Sequence, residues 1–268
     1  MDAALGYTAS LIMGITLGLV GGGGSILTVP IMVYLFHLSP TMATGHSLFI
    51  VGVTALTGSL MYIRKGHVDF NTGFLFAIPS VVGVNISRGL ILPKIPETLI
   101  HIQGFILTKD ILVMIAFATL MLVASYAMIK KRDEPKKNEI KPLTRSLLLS
   151  SQGLIVGLIA GFVGAGGGFL IIPALVFFAR LPMKVAVGTS LLIIATQSLL
   201  GFAGDLARGF TVQWPLLSIV ASIAIVGIVA GSSIAHKIQE QKLKIAFGWF
   251  VFLMGLTITI EQFYRLSL

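Results

Sequence analysis

The stretch Gly14-Ile15-Thr16-Leu17-Gly18-Leu19-Val20-Gly21-Gly22-Gly23-Gly24-Ser25, with Pro30 five residues further on, decides how the rest of the chain is read. It lies in an apolar run that carries no Asp, Glu, Lys or Arg from Ala3 to Leu38. Four successive glycines make poor helix interior, since each costs about 1 kcal/mol relative to alanine. A helix broken at membrane depth frees N–H and C=O groups, and irregular backbone survives there only against protein or a water-filled cavity. A near copy follows 143 residues later, as Gly157, Gly161, Gly164-Ala165-Gly166-Gly167-Gly168 and Pro173. Matching Gly/Pro interruptions in two halves of a membrane chain point to a transporter's binding site.

Composition agrees. Hydrophobic residues make up 56% of the 268 and charged residues 11%, where soluble domains carry about a quarter charged residues. This is an integral membrane protein with little mass outside the bilayer. The net charge of +9 is gathered in short segments between apolar runs, as in cytoplasmic loops, which argues against nucleic acid as a partner. Cysteine is absent, excluding disulfides, thiol catalysis and Cys-metal sites. The first apolar run lacks a basic leader and is too long for a cleaved signal, so an uncleaved multi-pass protein is expected.

As one straight helix the run 3–36 would be about 50 Å long, against a hydrocarbon core of roughly 30 Å. It must break or re-enter. Spanning helices are expected at 42–63, at 70–87 with Pro79 interrupting it, and at 111–129. The piece 98–107, ended by Lys109-Asp110, reads as a surface or half-depth helix. Residues 130–146 form a basic cytoplasmic linker, which divides the chain into a first transmembrane repeat (1–129) and a second (147–268). At the same offset Gly45, Ser47, Leu48 and Ile50 meet Gly188, Ser190, Leu191 and Ile193, Gly58 meets Gly201, and Gly66 meets Gly209. If every apolar run crosses once, the halves are parallel, with 11 basic residues inside and 8 outside. If the glycine-broken runs dip in and return, the halves are inverted and the tally becomes 14 against 5. Lys and Arg accumulate on the cytoplasmic side. The expected fold is therefore all-α and polytopic, with two homologous, inverted repeats, glycine-broken or re-entrant helices, and both termini outside.

Two copies of G-x3-G-x2-G-x-G-G-(G/S)-x4-P, at 14–30 and 157–173, are each followed by A-x-G-(T/H)-S, at 43–47 and 186–190. In these motifs, and over essentially its whole length, the chain resembles the sulfite exporter (TauE/SafE) family of membrane transport proteins. The resemblance implies movement of small sulfur-containing anions, such as sulfite or sulfonates, across the bacterial inner membrane. One departure stands out: His46 occupies the place of Thr189 in the second copy.

A helix that restarts after a break presents unpaired N–H groups and the positive end of the peptide dipole. Glycine lets an anion approach that backbone closely. Gly21, Gly22, Gly23, Gly24 and Ser25, with Gly164, Gly166, Gly167 and Gly168, are thus candidate substrate-binding residues. Gly14, Gly18, Gly157 and Gly161 instead form small-xxx-small patterns suited to close helix packing. His46, Ser47, Thr189 and Ser190 open the helices after each break and are candidates to line the pathway; the alternative is hydroxyls bonded back to their own helix. His46 is also the proton-coupling candidate, because histidine titrates near neutral pH. Asp205 beside Arg208 reads as a local ion pair, and Arg88 as a group that attracts anions or snorkels to the interface.

No Lys-Ser/Thr follows the glycines, no strand precedes them, and no H-E-x-x-H or Gly-x-Ser-x-Gly occurs, so a nucleotide site, a catalytic metal and a serine hydrolase are not expected. The expected protein is no enzyme and needs no cofactor or metal. It is a secondary transporter, in the exporting direction, of a small sulfur-containing anion held near the midplane. The alternatives are an anion channel or a non-transporting membrane scaffold or assembly protein. Its partners are that anion and membrane lipids, with a homodimer left open, and its place is the inner membrane.

Overall fold

The computed structural model describes residues 2–102, 105–129, 142–164, 168–177, 179–235 and 240–266. The segment 130–141, which holds most of the expected linker, lies outside them. The first half comprises α1 (Asp2–Val20), the composite α2 (22–35), α3 (Pro40–Arg64), α4 (Phe70–Lys94), strands β1 (Thr98–Ile102) and β2 (Phe105–Thr108), and α5 (Lys109–Ile129). The second comprises α6 (Pro142–Val163), α7 (Gly168–Phe177), α8 (Met183–Ala207), α9 (Trp214–Ile234) and α10 (Glu240–Leu266). Among the described residues six helices are long and apolar enough to cross a membrane: α3, α4, α5, α6, α8 and α9.

The first apolar run re-enters. Gly21 adopts φ 73°, and the chain turns back in a tight helical stretch, Gly22–Leu27, before α-helical Thr28–Pro30 and the wider π-turns of Ile31–Leu35. A Cβ on Gly24 would stand 2.7 Å from the Met13 carbonyl oxygen, so α2 lies directly against α1. It ends with Phe36 beside Tyr7, ring centroids 5.4 Å apart. The chain thus comes back to the level at which α1 starts.

Duplication is written in the backbone. Positive φ occurs at Gly21 and Gly164, at His37 and Arg180, and at Gly66 and Gly209, three pairs each 143 residues apart. The halves interlock. Gly14 and Gly18 set α1 against α9, where Gly18 faces the Ile228 carbonyl, and Gly157 and Gly161 set α6 against α4 in the same way. These four glycines serve close packing, as their spacing suggests. Helices α3 and α8 occupy equivalent places in the two halves yet run antiparallel: Gly45 packs on Phe210, Gly52 on Leu199 and Gly58 on Leu191.

Two expectations need correction. In place of the helix expected at 98–107, residues 98–102 and 105–108 form two antiparallel strands, with Thr98 opposite Thr108, Ile100 opposite Leu107 and Ile102 opposite Phe105. The β-branched Thr98, Ile100, Ile102 and Ile106 favour extended backbone, and this preference outweighs the apolar pattern that suggested a helix. Pro79 does not interrupt α4, which continues to Lys94. The ring leaves the Leu75 carbonyl without its helical donor, and Ser150 Oγ of α6 donates to it at 3.4 Å. On its outer face α4 exposes Phe70, Phe74, Ile78 and Val82, a stripe at helical spacing suited to lipid.

Candidate functional site

The two breaks meet. A Cβ on Gly22 would collide with the backbone of Gly168, and one on Gly168 with the backbone of Gly22. Each break also faces the A-x-G-(T/H)-S helix of the opposite half. Gly21 lies against Val187 and Ser190 of α8, 3.1 Å from each to a built Cβ, while Gly164 lies against Thr44 of α3. Val187 and Thr44 are equivalent positions, so the crosswise arrangement occurs at both breaks.

The candidate residues do different things within this frame. Gly22, Gly24 and Gly168 allow close backbone approach, and Gly23 lies within the Gly22–Leu27 turn. Gly166 and Gly167 lie outside the described residues. Ser25 is fully buried and its hydroxyl donates to the Gly22 carbonyl at 2.7 Å, fastening the turn. Ser190 donates to the Val187 carbonyl at 2.8 Å. Ser47, its equivalent, is fully buried and its hydroxyl has no partner among the described residues. A buried polar group without a partner is costly, so Ser47 is the candidate best placed to receive something else.

His46 and Thr189 prove to hold the same post. His46 Nε2 accepts from the Gln213 N–H at 3.1 Å, at the start of α9. Thr189 Oγ1 accepts from the Asp69 N–H at 2.9 Å, at the start of α4. Each satisfies an N–H at the entry to a helix of the other half. His46 Nδ1 sits 2.9 Å from the Met42 carbonyl, an acceptor only, so that nitrogen carries the proton. Both ring nitrogens of the neutral imidazole are then engaged.

Two features beyond those candidates lie beside the breaks. The first is a recess of about 70 Å³ lined by Leu19, Tyr62, Lys65, His67, Lys184, Val187, Ser232 and Ala235, well above the roughly 10–15 Å³ that one water needs. Val187 lines this recess and touches Gly21, so a basic mouth opens beside the first break. The tip of α1 is held there by Tyr62, whose hydroxyl donates to the Gly18 carbonyl at 3.3 Å. The second is a charge cluster. Arg88, in a π-turn of α4, donates from Nε to Asp205 Oδ2 at 2.5 Å and from Nη1 to the Gly161 carbonyl at 3.0 Å. Arg208 Nη2 donates to Asp205 Oδ1 at 2.8 Å. Asp205 is thus the local partner of Arg208 expected from spacing, while Arg88 is buried and does not snorkel. Its partner lies 117 residues away, a pairing that no local pattern announces.

Comparison with known proteins settles the relationship. The family model of the sulfite exporter TauE/SafE matches residues 7–258. This chain belongs to the sulfite exporter TauE/SafE family. A "Probable membrane transporter protein" of Xylella fastidiosa is 30% identical over 245 residues, covering 90% of this chain and 88% of that one. The "Probable membrane transporter protein YunE" of Bacillus subtilis is 29% identical over 270 residues, covering 94% and 95%. A relative of the same description from Methanocaldococcus jannaschii is 26% identical over 258 residues. The chain is therefore a multi-pass membrane transporter of the inner membrane, not an enzyme.

Proposed function

We propose that this transporter exports a small sulfur-containing oxyanion, sulfite or a sulfonate, by alternating access between two inverted halves. The carrying observation is the recess lined by Lys65, His67 and Lys184, whose wall residue Val187 also touches Gly21, the left-handed glycine that opens the first break. The mouth lies on the side that carries the excess of basic residues, which in this reading is cytoplasmic. An anion drawn in by the lysines next meets the N–H groups that a restarting helix leaves unpaired. Neutral donors hold it without the grip of a full ion pair, which suits release. Ser47 would offer its unused hydroxyl at the equivalent place in the other half. The direct contact between Gly22 and Gly168 supports a carrier over an open channel, because the two breaks close on each other at the centre. The two bonds of His46 support a capping role over proton coupling.

Reconstitution into liposomes tests this. Sulfite or methanesulfonate flux should saturate with concentration and fall when Lys65 and Lys184 are both changed to Gln. Flux that rises linearly with concentration would replace the carrier with a channel. Absence of flux for every sulfur oxyanion would remove the substrate assignment.

A further inference from the structure

We infer that Arg88 and Arg208 form a second anion site, distinct from the recess, in which Asp205 is a resident carboxylate that the transported oxyanion displaces. The inference rests on the reading that the chain carries anions and names a further subsite for them. Two guanidiniums share one carboxylate, so the cluster keeps an excess positive charge. Arg88 and Asp205 are only 5% and 6% exposed, while the side chain of Arg208 is 36% exposed and offers the way in. That guanidinium lies closely on glycine backbone. A Cβ on Gly89 or Gly204 would stand 3.2 Å from Arg208 nitrogens. Next to Arg88, the buried Ser87 hydroxyl has no partner among the described residues, and its Cβ packs on Gly161 at the end of α6.

The repeat supplies the control. At the offset of 143, Arg88, Asp205 and Arg208 correspond to Gly231, Tyr62 and Lys65. There the end of the equivalent helix is fastened by a neutral bond, Tyr62 to the Gly18 carbonyl. Fastening the end of α6 therefore does not call for a buried carboxylate and two cations. What the charged version adds is affinity for an anion with two or more acceptor oxygens, since guanidinium forks match such oxygens in pairs. Asp205 competes for the same nitrogens, so it limits that affinity and takes the guanidiniums back as the substrate leaves. A site that must bind and then let go needs such a competitor.

Sulfate and sulfite serve as probes on the purified full-length protein, with titration calorimetry for affinity and liposome efflux for turnover. Asp205→Asn removes the competitor and should tighten binding by roughly tenfold or more, the range of a hydrogen bond to a charged group, while slowing efflux. A purely structural carboxylate predicts the reverse: weaker or unchanged binding in Asp205→Asn, which overturns the inference. Arg208→Gln, at the more exposed position, should weaken binding by a similar factor. It decides the matter if Asp205→Asn does not fold: unchanged affinity in Arg208→Gln refutes the site. Tight binding by Asp205→Asn with none by the unaltered protein would sink the transport assignment while sustaining the displaced carboxylate. No binding by either protein would sink both.

Discussion

Replacing Gly22 by Ala separates two uses of the glycine breaks, packing and ligand approach. The added methyl would fall on the carbonyl group of Gly168, more than ~1 Å inside the 3.5–4.0 Å optimum for two carbons. Both partners are backbone, so no side chain can rotate away and the two re-entrant tips must part. Overpacking of this kind typically costs 1–3 kcal/mol, and we expect the upper part of that range, about 3 kcal/mol, because the contact is backbone to backbone. With about 2–4 °C of melting temperature per kcal/mol for a chain of this order of size, the shift is roughly 6–12 °C downward. Gly66→Ala is the control: nothing lies within 4 Å of its Cβ, but its φ is +69°, so only the left-handed conformation is penalised, at about 1–2 kcal/mol. Thermal unfolding of the two variants in the same detergent gives the comparison. If Gly22→Ala melts with the unaltered protein, or above Gly66→Ala, the meeting of the breaks is not a tight contact and the packing argument fails.

Other substitutions probe the rest of the site. His46→Thr should keep both fold and flux, because Thr189 performs the same capping with a hydroxyl; His46→Leu should lose roughly 1 kcal/mol, the usual value of a lost cap, in the same unfolding assay. Arg88→Met should destabilise the chain by about 3–5 kcal/mol by stripping a buried carboxylate of one partner, whereas Arg88→Met with Asp205→Leu should be markedly less harmful; a double-mutant cycle that shows simple additivity would contradict the pairing. Lys65→Gln with Lys184→Gln should raise the half-saturating anion concentration several-fold at low ionic strength, and the difference should shrink in high salt as screening takes over.

Much of the architecture could be read from residues alone because duplication reports on itself. The offset of 143 that matches Gly66 to Gly209 also locates both left-handed turns after α3 and α8, and the length of the first apolar run forces the return that places Phe36 beside Tyr7. The paired strands 98–102 and 105–108 escaped because their apolar residues satisfy a helical pattern as well as a strand one, and β-branching decides only in the folded context. The site was legible in part. Glycines and the paired Ala-x-Gly motifs marked segments that pack against each other, yet their close backbone contact depends on how the halves cross. His46 looked like a departure from the repeat until its Gln213 bond showed it doing the work of Thr189. Arg88 and Asp205 come from helices 117 residues apart, and their counterparts are Gly231 and Tyr62, so the duplication that revealed the fold concealed the ion pair.

The exchange of helices between halves carries a lesson for biogenesis. Because α1 rests on α9 and α4 on α6, the amino-terminal half leaves the ribosome with its small-residue seams facing lipid, and they stay unmatched until the carboxy-terminal half is inserted. Assembly must then be a late, single event of two inserted pieces. Fragments severed between α5 and α6 should each be degraded when made alone and rescue one another when made together.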